Sequence, residues 1–309
     1  MFTRKHPAVA ALLATGALLC ACNESSSSSA EEPGSETPNS LVLSDENAAE
    51  ALRLALDTPR VLPDALLYLV MYAGMGASQE TCLNDPEGTV DGAMTGNRPD
   101  QARFDNCAVE QYYGETTWAD GHVRFAFENE QDVSPFTMTM EDYALHTLRP
   151  DPYWEETLQA DGAVHISPSS YGMAIASIRD FNGSLEFTSR QGSSQNPWQV
   201  DSSWTFNGFG LEIEEGGRGP ESLTMEGQLS FSSPLQGSVT LTTHVPLYHS
   251  HDEMIECPDR GDLTMEGDEG TSLNLSIIDN ETLQVTVNGV TDTYDCEGFL
   301  EWSQGNFIF

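Results

Sequence analysis

The residues with the most chemical potential cluster late in the chain: His244, His249, His251, Asp252 and Glu253, with Cys257 a few positions on. Spaced His-x-His along an extended strand, His249 and His251 would put both rings on one face. Imidazoles beside a carboxylate suit Zn or Cu, so His244, His249, His251 and Asp252 are the candidate metal ligands. The plainer reading is a polar loop between two strands, with Cys257 committed to a disulfide. Acidic stretches around Asp91, Asp105, residues 128–132, Asp259 and Asp262 offer oxygens of the kind Ca²⁺ takes. No D-x-[DN]-x-[DN]-G loop organises them, so solvated turns are expected. No G-x-S-x-G, H-E-x-x-H, G-x-x-x-x-G-K or G-x-G-x-x-G motif occurs. Carboxylates are too numerous for any glycosidase-like pair to stand out. Tyr112, Tyr113, Trp118, Tyr153, Trp154 and Trp198 suit stacking on a sugar or lining a lipid groove, although core and strand-edge packing is their commoner use. No catalytic residue is assigned and no cofactor is expected.

Charge narrows the partners. The 309 residues carry 49 Asp plus Glu against 12 Lys plus Arg, a formal charge of -37. Phosphate recognition needs clustered cations, so nucleic acid is excluded as a partner, as is electrostatic docking on an anionic membrane face. Lys5 is the only lysine, which leaves the rest of the chain without amine chemistry. An acidic, lysine-poor surface reads first as solubility in a salty medium and only second as a cation-binding face.

The opening residues M-F-T-R-K-H-P precede an apolar run over residues 8–19, the layout of a secretory signal too short to span a bilayer stably. The following Leu19, Cys20, Ala21 and Cys22 resemble a bacterial lipobox, with Leu19 at minus three and Ala21 at minus one. That resemblance implies diacylglycerol on the Cys22 sulfur, cleavage before Cys22 and acylation of its new amino group, hence a palmitate-type membrane anchor. Asn23 in place of Asp after the cysteine implies the outer membrane. Residues 23–40, rich in Ser, Glu, Gly and Pro, bury too little apolar surface to order themselves and read as a tether.

Four further cysteines, Cys82, Cys107, Cys257 and Cys296, suggest two disulfides in an exported chain. Three pairings are open; loop closure favours Cys82–Cys107 with Cys257–Cys296.

These side chains need elements to hold them. Residues 44–56 read as a helix with Ser44 as N-cap and Leu52, Ala55 and Leu56 on one face, ended by Pro59. Residues 64–75 read as a second helix, with Leu66, Leu67, Val70 and Met71 in a stripe. From about residue 88 the apolar period drops to two, over residues 122–127, 136–140, 184–188, 200–206, 209–213, 223–225, 229–231, 239–245, 263–265, 273–277 and 283–287. Asn182-Gly183, Asn207-Gly208, Glu215-Gly216-Gly217, Gln236-Gly237, Asp279-Asn280 and Asn288-Gly289 read as the turns between them. This predicts a mainly β protein: an antiparallel meander forming a curved open sheet, half-barrel or sandwich, with one or two N-terminal helices. Strands this short, punctuated by Gly, argue against an integral barrel, although the chain ends on Phe309 as such barrels do.

The segment L-S-D-E-N-A-A-E-A-L-R-L-A, then Cys82, Gly88-Thr89-Val90 and Phe104-Asp105-Asn106-Cys107, is similar to a group of uncharacterised proteobacterial outer-membrane lipoproteins. V-T-L-T-T-H-V-P-L, C-P-D-R-G-D-L-T-M-E-G-D-E-G-T-S-L-N-L, L-Q-V-T-V-N-G, Tyr294 and Trp302 resemble that group's later module. The resemblance implies a β architecture, a Cys82–Cys107 bridge and an outer-membrane location; it implies no activity. An Asp-Gly-Asp-Gly turn common in the group is replaced here by Asn288-Gly289-Val290-Thr291-Asp292.

The resulting expectation is a signal peptide over 1–21, a tether over 22–40 and one β-rich domain over 41–309, helical over 41–76. The functional expectation is a non-enzymatic envelope lipoprotein with a structural or binding role, anchored in the outer membrane and facing periplasm or cell surface, with a protein or lipid ligand. The alternative is a carrier or chaperone for a hydrophobic ligand held in the sheet's groove. A metal protein or enzyme built on residues 244–257 comes third.

Overall fold

The computed structural model describes residues 40–79, 81–83, 88–112, 114–129, 134–150, 153–169, 174–193, 196–216, 219–232, 235–248, 257–279 and 281–303. The first element is a helix, α1, over Ala48–Ser78. Thirteen strands follow: β1 Thr89–Thr95, β2 Arg98–Tyr112, β3 Glu115–Phe127, β4 Phe136–Pro150, β5 Tyr153–Pro168, β6 Ile175–Ser193, β7 Asn196–Gly216, β8 Gly219–Phe231, β9 Gly237–Tyr248, β10 Arg260–Glu266, β11 Ser272–Asp279, β12 Thr282–Val287 and β13 Val290–Tyr294. A short helix, α2, over Cys296–Ser303 closes the series. The strands form one antiparallel sheet in strict sequence order, β1 to β13. The mainly β meander expected from the period-two pattern is therefore an open sheet whose ladder ends at β1 and β13.

Two expectations about the elements need correction. Of the one or two N-terminal helices expected there is one, unbroken at Pro59, and a further short helix lies at the carboxyl end. Pro59 and Pro63 both sit inside α1. Each interior proline costs about 3 kcal/mol. Yet Leu52, Leu62, Leu66 and Leu69 are at most 1% exposed, and each such burial contributes about 1.5–3 kcal/mol. Tertiary packing outweighs the local penalty. The helix also begins later than the Ser44 cap predicted: Asn47 is the N-cap residue, and its Oδ1 accepts the Ser44 N–H at 2.9 Å while its Nδ2 donates to Val42 O at 3.0 Å. By length and composition α1 is apolar enough to cross a membrane, but close to half of its apolar window is buried in the fold.

The second correction concerns strand length. Asn182-Gly183 and Asn207-Gly208 are not turns but lie inside β6 and β7, strands of 19 and 21 residues. Residues 200–206 and 209–213 are one strand, as are 223–225 and 229–231. The objection that the strands are too short for a barrel falls with this. What the Asx-Gly pairs mark is a seam of β-bulges running across β2 to β8, where the pairing register slips in each ladder. Asn106, Asp142 and Gly208 have positive φ. Their N–H groups donate to Asp120 Oδ1 at 3.1 Å, Asp161 Oδ2 at 3.1 Å and Asn182 Oδ1 at 2.8 Å. Each acceptor precedes a glycine, and at Gly162 that glycine is required: a Cβ there would sit 2.1 Å from the Asn182 carbonyl oxygen. Left-handed backbone and Asx acceptors are also the chemistry of a tight turn, which is why the sequence pattern mimics one.

The extra residue at each bulge shifts the inward set, so β4 buries Phe136, Met138 and Met140, then Tyr143 and Leu145. Val123, Phe181, Met225, Leu263 and Val285, inward residues spread from β3 to β12, are no more than 2% exposed. α1 lies against β1 and β2, and Tyr143 donates its hydroxyl to Leu69 O at 3.3 Å. The segment before the helix is held at the other side of the sheet: Leu41 N–H donates to Ser238 O at 2.8 Å, and Asn288 Nδ2 donates to Leu43 O at 2.9 Å. Residues 40–78 thus join the late strands to the first two across the inner face.

Candidate functional site

The cysteines pair as loop closure favoured. Cys82–Cys107 fastens the chain leaving α1 to β2, with Cα atoms 5.3 Å apart, and Cys257–Cys296 fastens the approach to β10 onto α2 at 5.8 Å. Cys257 is therefore spent. Of the candidate metal ligands, His244 is exposed on β9 with Nε2 3.1 Å from Thr264 Oγ1, a neutral partner that itself hydrogen-bonds Asn274 at 3.1 Å. His249, His251, Asp252 and Glu253 lie outside the described residues, as do Cys22 and the whole leader. Among the described residues no three His, Cys, Asp or Glu side chains are grouped to hold a metal ion. Asp262, one of the acidic-turn positions, accepts from Asn274 Nδ2 at 3.0 Å.

Functional interest centres instead on β5, whose two faces carry different polar constellations. On the outer face, three cross-strand pairs line a hollow of about 180 Å³: Glu155 with Arg190, Thr157 with Thr188, and Gln159 with Glu186. Thr157 and Thr188 are short and their neighbours long, so the middle pair forms the floor. The middle row extends sideways through directly paired residues, from Trp118 on β3 to His146, Thr157, Thr188 and Asp201 on β7. Trp118 stacks on His146 with centroids 5.6 Å apart.

Glu155 is the hub of this face. It accepts from the Tyr153 hydroxyl at 2.5 Å, from His146 Nε2 at 3.1 Å and from Arg190 Nη1 at 3.5 Å. The Tyr153 hydroxyl above all, then His146 and Arg190, hold the carboxyl below the usual glutamate range against the opposing pull of partial burial. Tyr153 is raised in turn by the same bond.

On the inner face the next residue, Glu156, has the opposite fate. Burial pushes its carboxyl up to about 7; the Ser189 hydroxyl at 3.3 Å eases it only slightly, and the Trp154 indole N–H leans the same way without reaching full hydrogen-bond geometry. Tyr68 from α1 and Glu115 from β3 are close enough to act on it, and Tyr68 in turn neighbours Asp64, Tyr72 and Glu110. Burial raises Tyr68, and the charges of Asp64, Glu156, Glu110 and Glu115 add to it. Tyr72 donates its hydroxyl to Glu110, and burial first, then that bond, raises the phenol. Asp64 is raised by burial. This is an acid-rich seam between helix and sheet.

Sequence reading had named Trp118, Tyr153 and Trp154 as aromatics suited to stacking, but not Glu155, Glu156, His146 or Arg190. Tyr113 lies outside the described residues, as do the side chains of Tyr112 and Trp198. A signal existed: Glu155, Thr157 and Gln159 alternate on one strand, as do Glu186, Thr188 and Arg190. Their register, set by the bulges, is what brings the two triplets together. No family model, curated protein or solved structure matches the chain.

Proposed function

We propose that this chain is a non-enzymatic lipoprotein of the bacterial outer membrane, anchored through acylated Cys22, that works as a binding or structural protein through the outer face of its sheet. The observation that carries the binding role is the contrast between the faces: the inner one is filled by the chain's own side chains, while the outer one holds an open, pre-ordered polar hollow. The anchor rests on the leader and lipobox-like residues, and the two disulfides suit an oxidising compartment. Ser40, where the tether reaches the fold, bridges to Ser238 beside the β8–β9 connection, leaving the outer face of β5 and β6 at a different part of the sheet. The carrier alternative requires α1 to leave the inner face, since the volume an apolar ligand needs is occupied by residues such as Leu66, Leu69 and Met138.

The test is metabolic labelling with an alkyne fatty acid in a Gram-negative host. The intact chain is expected to take the label and sediment with outer membranes, and Cys22→Ser to lose both. An unlabelled chain with its leader still attached would overturn the anchor.

A further inference from the structure

We infer that the outer-face hollow of β5 and β6 is a binding site for a neutral oligosaccharide. The inference deepens the binding reading above and rests on it. The lining offers both donors and acceptors at fixed spacing: the Glu155 and Glu186 carboxylates, the Gln159 carboxamide, the Thr157 and Thr188 hydroxyls and the Arg190 guanidinium. A polyol, whose every hydroxyl both donates and accepts, is the ligand class that uses such a mixed set fully. Arg190 places its guanidinium in the wall, with Nη1 3.5 Å from Glu155, and so brings N–H donors to an otherwise acceptor-rich rim. Glu155 is already oriented by three donors, so its position costs a ligand little ordering.

The alternatives fit worse. An anionic ligand meets a chain of formal charge -37. A bare cation meets the Arg190 guanidinium in the wall. A peptide adding to a sheet needs a free strand edge, whereas β5 and β6 lie in the middle of the sheet. An extended saccharide also finds a platform. Partly exposed Trp118, backed by His146, stands at one end of the row that crosses β3 to β7, about 19 Å at roughly 4.8 Å per strand spacing. Aromatic faces pack against the apolar C–H face of sugar rings while hydroxyls reach the polar floor. The row's length suits a short oligosaccharide better than a single ring.

The experiment probes the full mature chain, in detergent micelles, on an array of neutral oligosaccharides spanning hexose, N-acetylhexosamine and 6-deoxyhexose units, with uronic-acid oligosaccharides and Ca²⁺ titration as comparators. Retention of a subset of neutral glycans is expected, with Kd of about 1 mM or tighter. Thr188→Trp, which plugs the floor, and Arg190→Ala should each weaken it about tenfold, or 1.4 kcal/mol. Both are surface changes, and unaltered thermal unfolding in either one keeps the test valid. The inference is overturned by no neutral glycan binding, by binding that neither variant reduces, or by a preference for uronic-acid glycans or Ca²⁺. Acylation of Cys22 is unaffected by any of these, so the anchor and the ligand fail separately.

Discussion

Glu155 and Glu156 are neighbours in sequence with identical side chains, and the pleat of β5 sends them to opposite faces of the sheet. On the outer face Glu155 gathers a phenol, an imidazole and a guanidinium, which hold its charge. On the inner face Glu156 gains the Ser189 hydroxyl with Tyr68 and Glu115 nearby, and its proton is held up to about 7. What separates them is the supply of donors and water. A carboxylate near the surface recruits partners and stays ionised; one turned toward α1 loses part of its water with too few partners to compensate. The outer face thus keeps its charge beside water, and the inner face holds a helix at a cost that depends on pH.

The largest test of this contrast is Glu156→Gln. The folded-state value of Glu156 is raised above its unfolded value, so in the interval from the ordinary carboxyl range to about 7 the folded chain holds a proton that the unfolded chain releases. Stability therefore falls as pH rises through that interval and the loss is complete above it. Glutamine removes the penalty and should stabilise the protein by roughly 2 kcal/mol at about pH 8, and by almost nothing at about pH 4. Urea unfolding of both chains at the two pH values measures it. An equal difference at both would mean that Glu156 is solvated and the faces are alike.

Next in size is a matched pair, Tyr72→Phe inside and Tyr153→Phe outside, since each deletes one phenol that donates to a glutamate. Inside, Glu110 loses its donor between helix and sheet, with an expected cost of about 1–3 kcal/mol. Outside, water replaces the lost bond and the cost should be clearly the smaller of the two. Thermal unfolding of the two variants gives the ratio directly. Equal losses would break the comparison.

The meander was legible in the sequence because alternation such as Phe136, Met138 and Met140 survives any register. The turn at Asn288-Gly289 was legible too: Val287 pairs with Val290 and both central residues have positive φ. Asn182-Gly183 and Asn207-Gly208 carry the same residue types for a bulge, and only the neighbouring strand tells a bulge from a turn. Pro59 and Pro63 misled for a related reason, since the leucines that override them gain their energy from strands far away in sequence. The outer hollow lay beyond reading because it is a property of register: Glu155 meets Arg190, 35 positions on, only once the bulges have set the slip between β5 and β6.

The smallest expected effect is at Glu155 itself, and it sharpens the contrast by its size. Its folded-state value is depressed, so its contribution is present above the ordinary carboxyl range and fades as pH falls through the folded value, the reverse of Glu156. Arg190 is 42% exposed and His146 40% exposed, so solvent screens the pairing and Glu155→Gln should cost no more than about 0.5 kcal/mol at neutral pH. That cost should shrink further in about 1 M salt, where the screening length drops to roughly 3 Å. The Glu156→Gln gain, which comes from desolvation more than from long-range charge, should survive the same salt. Unfolding both variants with and without salt separates the two origins: a Glu155 effect that persists in salt would show that desolvation governs the outer hub as it does Glu156, and the contrast between the faces would fail.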